Sequence, residues 1–551
     1  MKMTGKLLPV LLCIHVQTLF PLPPQKLLYS DDWAYEALSI LSREQRIVFF
    51  ADSVITVAQM RDCLDAIDEE TLSESGKVLL RRLEAYLASS PWISAKSGAL
   101  SAGIDIAVQG ETYCKSSPDI PWIHDYHSRN PLLQMPANIS LGPYISLELV
   151  PFAGQNEYAA SLHNNYVNIP YDPVHQFDIH FPRRSYLSAG IPFGEASGIH
   201  FAIGIGEDFL GRTRTGSVIL SDYMNKVTYA RLSLYSPSIK YAAEIKQFEV
   251  NKYLYMHYLH VRPHRIFSLT FTEGVMVNAP LELRFLNPTT VFHGFESYKT
   301  YDDYNDELNI TDPRITDPTG GSRIGSYFGV KIEFQPVKYL RFYGLFAMDQ
   351  LQLGIEKDNW SDDLTPDALA FQAGTELSVP VSGGYWNFGL EGVYTYPYMY
   401  VLHNKKWSFV KEYPEIDNMT VRDWVGSPFG PDTIAGTFWT GYASSRWSLT
   451  FSFVFAAQGE RSGTDIFDTT NYWPTPAVYD VVVPPTGIPV YTATAVLLWE
   501  WTPREWIHIR FEPGYRFVNN SGHVRGQKAY GFEAALSVKF VPAMLKTYEF
   551  N

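Results

Sequence analysis

From Gly98 to Phe540 apolar and polar side chains alternate with a period of two, the spacing of strands whose successive residues face opposite sides. The last run is the clearest: Tyr530, Phe532, Ala534, Leu536, Val538 and Phe540 alternate with Gly531, Glu533, Ala535, Ser537 and Lys539. The run before it sets Ile507, Ile509, Phe511, Tyr515 and Phe517 against His508, Arg510, Glu512 and Arg516. The pattern recurs at Ile104, Ile106 and Val108, at Phe328, Val330, Ile332 and Phe334 against Lys331 and Glu333, and at Trp447, Leu449, Phe451, Phe453 and Phe455. Residues Ser30 to about Ser90 read differently. Thr56 and Gln59 have capping-box spacing, and Val57, Met60, Leu64 and Ile67 then fall on one helical face. Leu79, Leu83 and Leu87 mark a second amphipathic stretch, so two or three short helices packed together are expected.

Alternation alone also fits a soluble sandwich. Three features favour a transmembrane barrel. Many runs carry about 8 to 11 alternating residues, the length of a tilted membrane strand. Aromatics such as Trp499, Trp501 and Trp506 sit at run ends, where a headgroup girdle lies. Tight connections such as Gln335–Lys338 alternate with long polar ones: Tyr301–Ser322, Gln350–Pro366, His403–Pro431 and Gln458–Val483. At about 25 residues per strand with its half-turns, the region predicts roughly 18 strands, within about 16 to 20. The fold class is therefore mainly β, a large antiparallel transmembrane β-barrel with a small N-terminal α-helical domain. An even count returns the C-terminal strand to the side where the helices start. Phe540 then stands as the terminal aromatic read by barrel-assembly machinery, although Val541–Asn551 follow it as a tail.

The N-terminus places Lys2 and Lys6 before an apolar stretch, Leu7 to Phe20, too short to span a bilayer as a helix. It predicts a signal peptide over 1–25, a helical domain over 26–97 in the periplasm, the barrel over 98–540 and the tail over 541–551. No later segment is apolar for long enough to be a membrane helix, so any span is β.

Composition narrows function. At 46% hydrophobic, 15% aromatic and 19% charged, the chain is not disordered. A net charge of −14 with scattered Lys and Arg excludes a nucleic-acid surface. Three cysteines, Cys13, Cys63 and Cys114, build neither a disulfide framework nor a paired-CxxC zinc site.

Two stretches carry a resemblance. The run AIGIGEDFLGRTRTGSVILSD, Ala202–Asp222, and the run YLHVRPHRIFSLTFTEGVMV with LRFLNP after it resemble segments of the Wzi capsule-assembly family, the second through His264, Arg265, Glu273 and Pro288. The resemblance implies an 18-stranded outer-membrane barrel with a periplasmic helical domain, and a lectin-like role in organising surface polysaccharide.

Catalytic and metal motifs are sparse. GIGEDFLG lacks the third glycine and the βαβ setting of a dinucleotide site. His257, His260 and His264, and His124 with His127, have ligand-like spacing, but only His260 and His264 share a strand face. Lumen polar residues are the preferred reading, with His264, Arg265 and Glu273 as one cluster. GxSxG and HExxH are absent, so a hydrolase would need a serine and a histidine brought together from adjacent strands. The acidic run Tyr301–Pro313 reads as a solvated surface loop rather than a calcium loop. Trp360, Trp407 and Trp424 lie in long connections among acidic and amide residues, a mixture suited to sugar stacking.

The reading is a non-enzymatic barrel without cofactor or metal, in contact with outer-membrane lipid and surface polysaccharide. A porin is the alternative, with Arg510, Arg516, Glu333, Glu376 and Lys539 along a water path and the helices across the periplasmic mouth. A barrel hydrolase is the third.

Overall fold

The computed structural model describes residues 22–157, 164–169, 177–178, 184–224, 226–292, 324–351, 366–402, 406, 408–416, 419–461, 483–542 and 546–549. Most of the expected leader, the acidic run Tyr301–Pro313, Trp360 and Trp407 lie outside them.

Among the described residues eighteen strands make the wall, which is a closed antiparallel barrel. They are β1 (Leu100–Ile104, continued by Ala107–Lys115), β2 (Leu133–Gln134, continued by Ala137–Leu141), β3 (Ile145–Val150, continued by Phe152–Gln155), β4 (Arg184–Gly194), β5 (Ser197–Gly206), β6 (Val227–Tyr235), β7 (Ile239–Glu249), β8 (Lys252–His264), β9 (Phe267–Asn278), β10 (Ile324–Phe334), β11 (Leu340–Gln350), β12 (Ala368–Val381), β13 (Gly384–Thr395), β14 (Thr433–Ser444), β15 (Trp447–Gln458), β16 (Val490–Arg504), β17 (Ile507–Asn519) and β18 (Lys528–Phe540). Each pairs with the next in chain order. β18 closes on β1 in a register running from Glu533↔Lys115 to Phe540↔Val108. Closure leaves no long edge to aggregate and satisfies the backbone without water.

All connections at one end are tight turns. Those at the other are mostly long, with Val250–Asn251 between β7 and β8 as a short exception. The wall begins and ends at the tight-turn end. There Lys546–Glu549, beyond Phe540, pairs in parallel with Ile93–Ser97, which in turn pairs with Leu100–Ile104 through a turn at Gly98. The tail is thus tied to the first strand, and Gly98, with φ 58°, supplies the left-handed turn that separates the two.

Among the described residues three helices precede the wall: α1 (Trp33–Gln45), α2 (Val57–Asp65) and α3 (Glu74–Leu87). Asp32 caps α1, Ser73 caps α3, and Thr56 with Gln59 forms the expected capping box on α2. Val57, Met60, Leu64, Ile67, Leu83 and Leu87 are buried in one cluster with α1. Leu22 to Gln25, placed by the sequence in the leader, belong to this unit. Leu22 donates its N–H to the Leu87 carbonyl, and Gln25 donates to the Pro143 carbonyl.

The wall inverts the arrangement of a soluble protein. Along β15, Trp447, Leu449, Phe451, Phe453 and Phe455 face outward and are exposed. On β10, Ile332 and Phe334 are exposed while Lys331 and Glu333 between them are only 2% and 5% exposed. Charged groups inside and aromatic groups outside are favourable only against hydrocarbon. At the tight-turn rim Trp499 and Trp501 stack at 5.9 Å and Trp506 meets Phe540 edge-on at 5.0 Å, forming part of an aromatic girdle.

Candidate functional site: the occluded lumen

Inward positions of the wall carry polar and charged residues, and the chain folds back twice over to meet them. At the tight-turn end the helical unit seats in the barrel mouth. Its apolar cluster includes the inward Tyr186, Ala202 and Tyr229 of β4 to β6. Leu27 donates its N–H to the Tyr186 hydroxyl at 3.0 Å, and Lys26 lies 3.1 Å from Glu148. Lys240 donates to Ser53 at 2.8 Å, and Tyr385 donates to Glu44 at 2.8 Å.

A chain of alternating charge crosses from one side of the plug to the other. Asp52 of the plug pairs with Lys331, Lys331 lies 2.8 Å from Glu333, Glu333 lies 2.9 Å from Arg341, Arg341 lies 3.1 Å from Glu376, and Glu376 pairs with Arg43 of α1. Three carboxylates face three cations, so the interior bears this network without net charge. Period-two parity announced that Glu333 and Glu376 point inward. That the plug partner of Glu376 is Arg43, on a helix 333 residues earlier, has no sequence signal.

From the long-connection end three segments enter the lumen. Residues 207–224 bring Leu210, Val218, Ile219 and Leu220 into an apolar core with inward Ala242, Met256, Met276, Tyr327 and Leu345. Tyr327 and Tyr400 both donate to the Val218 carbonyl, at 2.9 Å and 2.7 Å. Asp208 ties the same segment to the wall, 3.1 Å from Arg231 and 2.9 Å from Lys246. Residues 396–432 contribute Met399, Tyr400, Phe409 and Val425 to that core, and include an inward hairpin of Val410–Ile416 with Met419–Trp424.

Residues 116–132 enter beside β17 and β18. Glu533 accepts from the backbone N–H groups of Ile123 and His124 at 2.7 Å and 2.8 Å, and its oxygen lies 2.6 Å from His124 Nδ1. His124 Nε2 is 3.2 Å from Glu512, which also pairs with Arg510 at 2.6 Å. A cavity of about 10 Å³ among Glu111, Tyr113, His124, Arg510 and Glu512 has room for one water. Arg129, only 1% exposed, lies 4.2 Å over the Tyr166 ring and 5.2 Å from Trp122.

Burial lowers the His124 imidazole, but the hydrogen bonds and charges of Glu512 and Glu533 outweigh it and raise the pKa from 6.5 to about 9. A histidine raised on folding contributes stability that is complete below its unfolded value and is lost as pH rises through the folded one. The expected result is that the melting-temperature difference between the native protein and His124→Asn narrows from about pH 6.5 to about pH 9. A constant difference over that range would remove the charged imidazole from the account.

Two sequence expectations are corrected. His264, Arg265 and Glu273 form no lumen cluster. His264 is exposed at the β8–β9 turn after a register shift, and Arg265 in that turn donates to the Gln45 carbonyl at 2.7 Å, where α1 ends. Glu273 follows the parity of the exposed Phe271, so it points outward, 3.0 Å from His257. Trp424 belongs to a long connection, but its hairpin folds inward, and the half-buried ring packs against the lumen core, 6.3 Å from Tyr400.

The paired histidines are split between partners: His127 Nε2 is 2.9 Å from Asp423 while His124 serves Glu512 and Glu533. Among the described residues no group of three or more His, Cys, Asp or Glu side chains could hold a metal ion. A serine and a histidine do meet on adjacent strands, Ser188 and His200 at 2.8 Å. Both are buried, and Arg231 and Lys240 rather than a carboxylate supply the charge around the imidazole. Arg510, Arg516 and Lys539 follow the inward parity of β17 and β18, and Arg516 is bonded to the Trp122 carbonyl at 2.8 Å.

No family model matches the chain, and no curated protein sequence matches it. Among solved structures it is similar to Wzi of Escherichia coli, described as an outer-membrane protein involved in group 1 capsule assembly and a carbohydrate-binding β-barrel. The TM-score is 0.56 at 13% identity, over 93% of this chain and 99% of that one. OprD of Pseudomonas aeruginosa matches with a TM-score of 0.40 at 8% identity, over 81% of this chain and 96% of that one. What the likeness to Wzi shows is the fold: this chain is a β-barrel of the outer-membrane type.

Proposed function

We propose that this protein is a non-conducting outer-membrane barrel that holds surface polysaccharide at its long-connection end, with the helical unit in the periplasm. The observation that carries the reading is the filled lumen: a helical plug at one mouth and an apolar core of inserted segments toward the other. A solute path needs a continuous wet passage, whereas buried Tyr327, Leu345 and Met256 line the middle of this one. A filled barrel is instead a rigid frame for the connections above it. The carbohydrate binding described for Wzi, whose fold this chain shares, supports the same direction. Trp360 and Trp407 are the rings proposed to stack on sugar; Trp424 is assigned to packing.

The expected result is that the intact protein in planar bilayers gives no stable channels, that the purified protein retains surface glycan, and that cells lacking it shed that glycan. Stable channels without glycan retention would overturn the reading. A second reading, a narrow solute channel, rests on β15, where the inward Ser448, Thr450 and Ser452 are only half-buried. Channels blocked by bulky substitution at Thr450 would favour it.

A further inference from the structure

Residues 46–54, between α1 and the short strand Ile55–Thr56, form a strap held on three sides. At the wall, Arg262 donates to the Val48 carbonyl at 2.8 Å, and the Val48 N–H donates to the Arg265 carbonyl at 2.8 Å. Within the helical unit, Tyr35 of α1 donates to the Ser53 carbonyl at 3.1 Å. The Gly211 N–H donates to the Asp52 carbonyl at 2.8 Å, so the strap also meets the segment that enters from the long-connection end.

Its side chains meet a row of inward residues lying side by side across four strands. Lys240 is in register with His260, His260 with Thr270, and Thr270 with Lys331. All four are buried. Lys240 donates to Ser53 Oγ at 2.8 Å, Lys331 pairs with Asp52, and the Phe50 ring stacks on the His260 imidazole at 5.4 Å. The histidine thus stands between two lysines at the centre of the seat.

His260 Nδ1 lies 2.6 Å from Thr270 Oγ1, whereas among the described residues the buried Nε2 has no hydrogen-bond partner. A neutral ring fits this setting, with Nδ1–H donating to the threonine and a bare lone pair on Nε2. A second proton on Nε2 would be a buried charged donor without an acceptor, which costs far more. Lys240 of β7 and Lys331 and Glu333 of β10 act on the ring, and β9 faces it with the uncharged Thr270. On β8, Tyr258 meets it edge-on at 5.1 Å, and Arg262 lies 5.7 Å over the Phe50 ring. The Cys63 thiol of α2 is in electrostatic reach of Arg262 and Lys240. The nearby carboxylates are taken: Asp52 and Glu333 are both bonded to Lys331, Glu333 also to Arg341, and Glu244 of β7 to Lys246.

We propose that residues 46–54 are a proton-released strap: protonation of His260 lifts them from the row of Lys240, His260 and Lys331, loosening the helical unit and the Gly211 contact together. Only the released ring, in water, takes the second proton readily, so seating is complete above about pH 6.5 and weakens as pH falls below it. The inference does not depend on the ligand at the long-connection end.

The test is papain digestion of the full chain in detergent micelles at about pH 7.5 and about pH 5, on either side of the ordinary imidazole value. Cutting within residues 46–54 is counted from fragment masses and divided by that of a denatured sample at the same pH. Expected is a rise of up to about thirtyfold at the lower pH, the ratio that one imidazole titrating only in the released state can produce. His260→Gln keeps a hydrogen-bonding group for Thr270 but takes no proton, so its cutting should not rise. Lys240→Gln removes one neighbouring ammonium, makes the second proton less costly in the seated state, and should shrink the rise. The heat-induced gel shift reports that the wall of each variant is folded. Equal cutting of the native protein at both pH values would overturn the proposal, as would an equal rise in His260→Gln, which would move the titration to His200 or to the carboxylates. Should His260→Gln fail to fold, an undiminished rise in Lys240→Gln overturns it instead.

Discussion

Glu376→Ala is expected to loosen the helical plug, exposing α1 to protease in a barrel whose wall stays folded. Glu376 pairs with Arg43 of the plug and Arg341 of the wall. Without it Arg43, whose side chain is 3% exposed, keeps hydrogen bonds to Ser39 and Ser378 but faces only the Glu36 carboxylate, at 3.6 Å and half in water. A buried cation deprived of its partner costs about 3–5 kcal/mol, whereas replacing the pair together by apolar residues is close to neutral. The double variant Arg43→Met, Glu376→Met is therefore expected to recover much of the protection. Limited proteolysis between α1 and α3, with the heat-induced gel shift of the barrel as control, checks both. Equal protection in the native protein and Glu376→Ala would show that the apolar cluster alone seats the plug.

The second large effect is expected beside the seam where β18 closes on β1. Glu533→Ala strips the acceptor from two backbone N–H groups and from the His124 ring. Each buried donor left unsatisfied costs about 1–3 kcal/mol, more for a charged one. The segment 116–132 then loses its seat. Cleavage within it should rise sharply, and bilayer recordings should show flickering current beyond any seen with the native protein. Glu533→Gln retains an acceptor oxygen for the backbone groups but no charge for the imidazolium, so it should fall between the two. Unchanged cleavage in Glu533→Ala would mean that Arg129 and its aromatic neighbours hold the segment by themselves.

Where sequence reading succeeded, the cause was local. Thr56 with Gln59 became a capping box because both partners sit within one turn of the same helix. The alternation on β10, β15, β17 and β18 placed apolar groups outside and Glu333, Arg510 and Glu533 inside, because neighbouring side chains on a strand have no choice of face. Where it failed, the missing quantity was phase or distance. Glu273 looked like a lumen residue because its charge suggested water, yet two positions from outward Phe271 it had to point away from the lumen, where it pairs with His257 and Phe292 stacks on that imidazole. For His124 and His127, whose spacing was ligand-like, the missing quantity was again distance: each meets a carboxylate from another part of the chain.

The sequence by itself determined that the chain is a barrel with a helical prefix, because period-two and helical patterns are written residue by residue and nearly every strand repeats the message. Only the tertiary structure decided which segments enter the lumen. Occlusion depends on which long connections turn inward and on ion pairs such as Arg43–Glu376 and His124–Glu533, joined across more than 300 residues. Complementary charge and shape in space select those pairings, and no spacing along the chain encodes them.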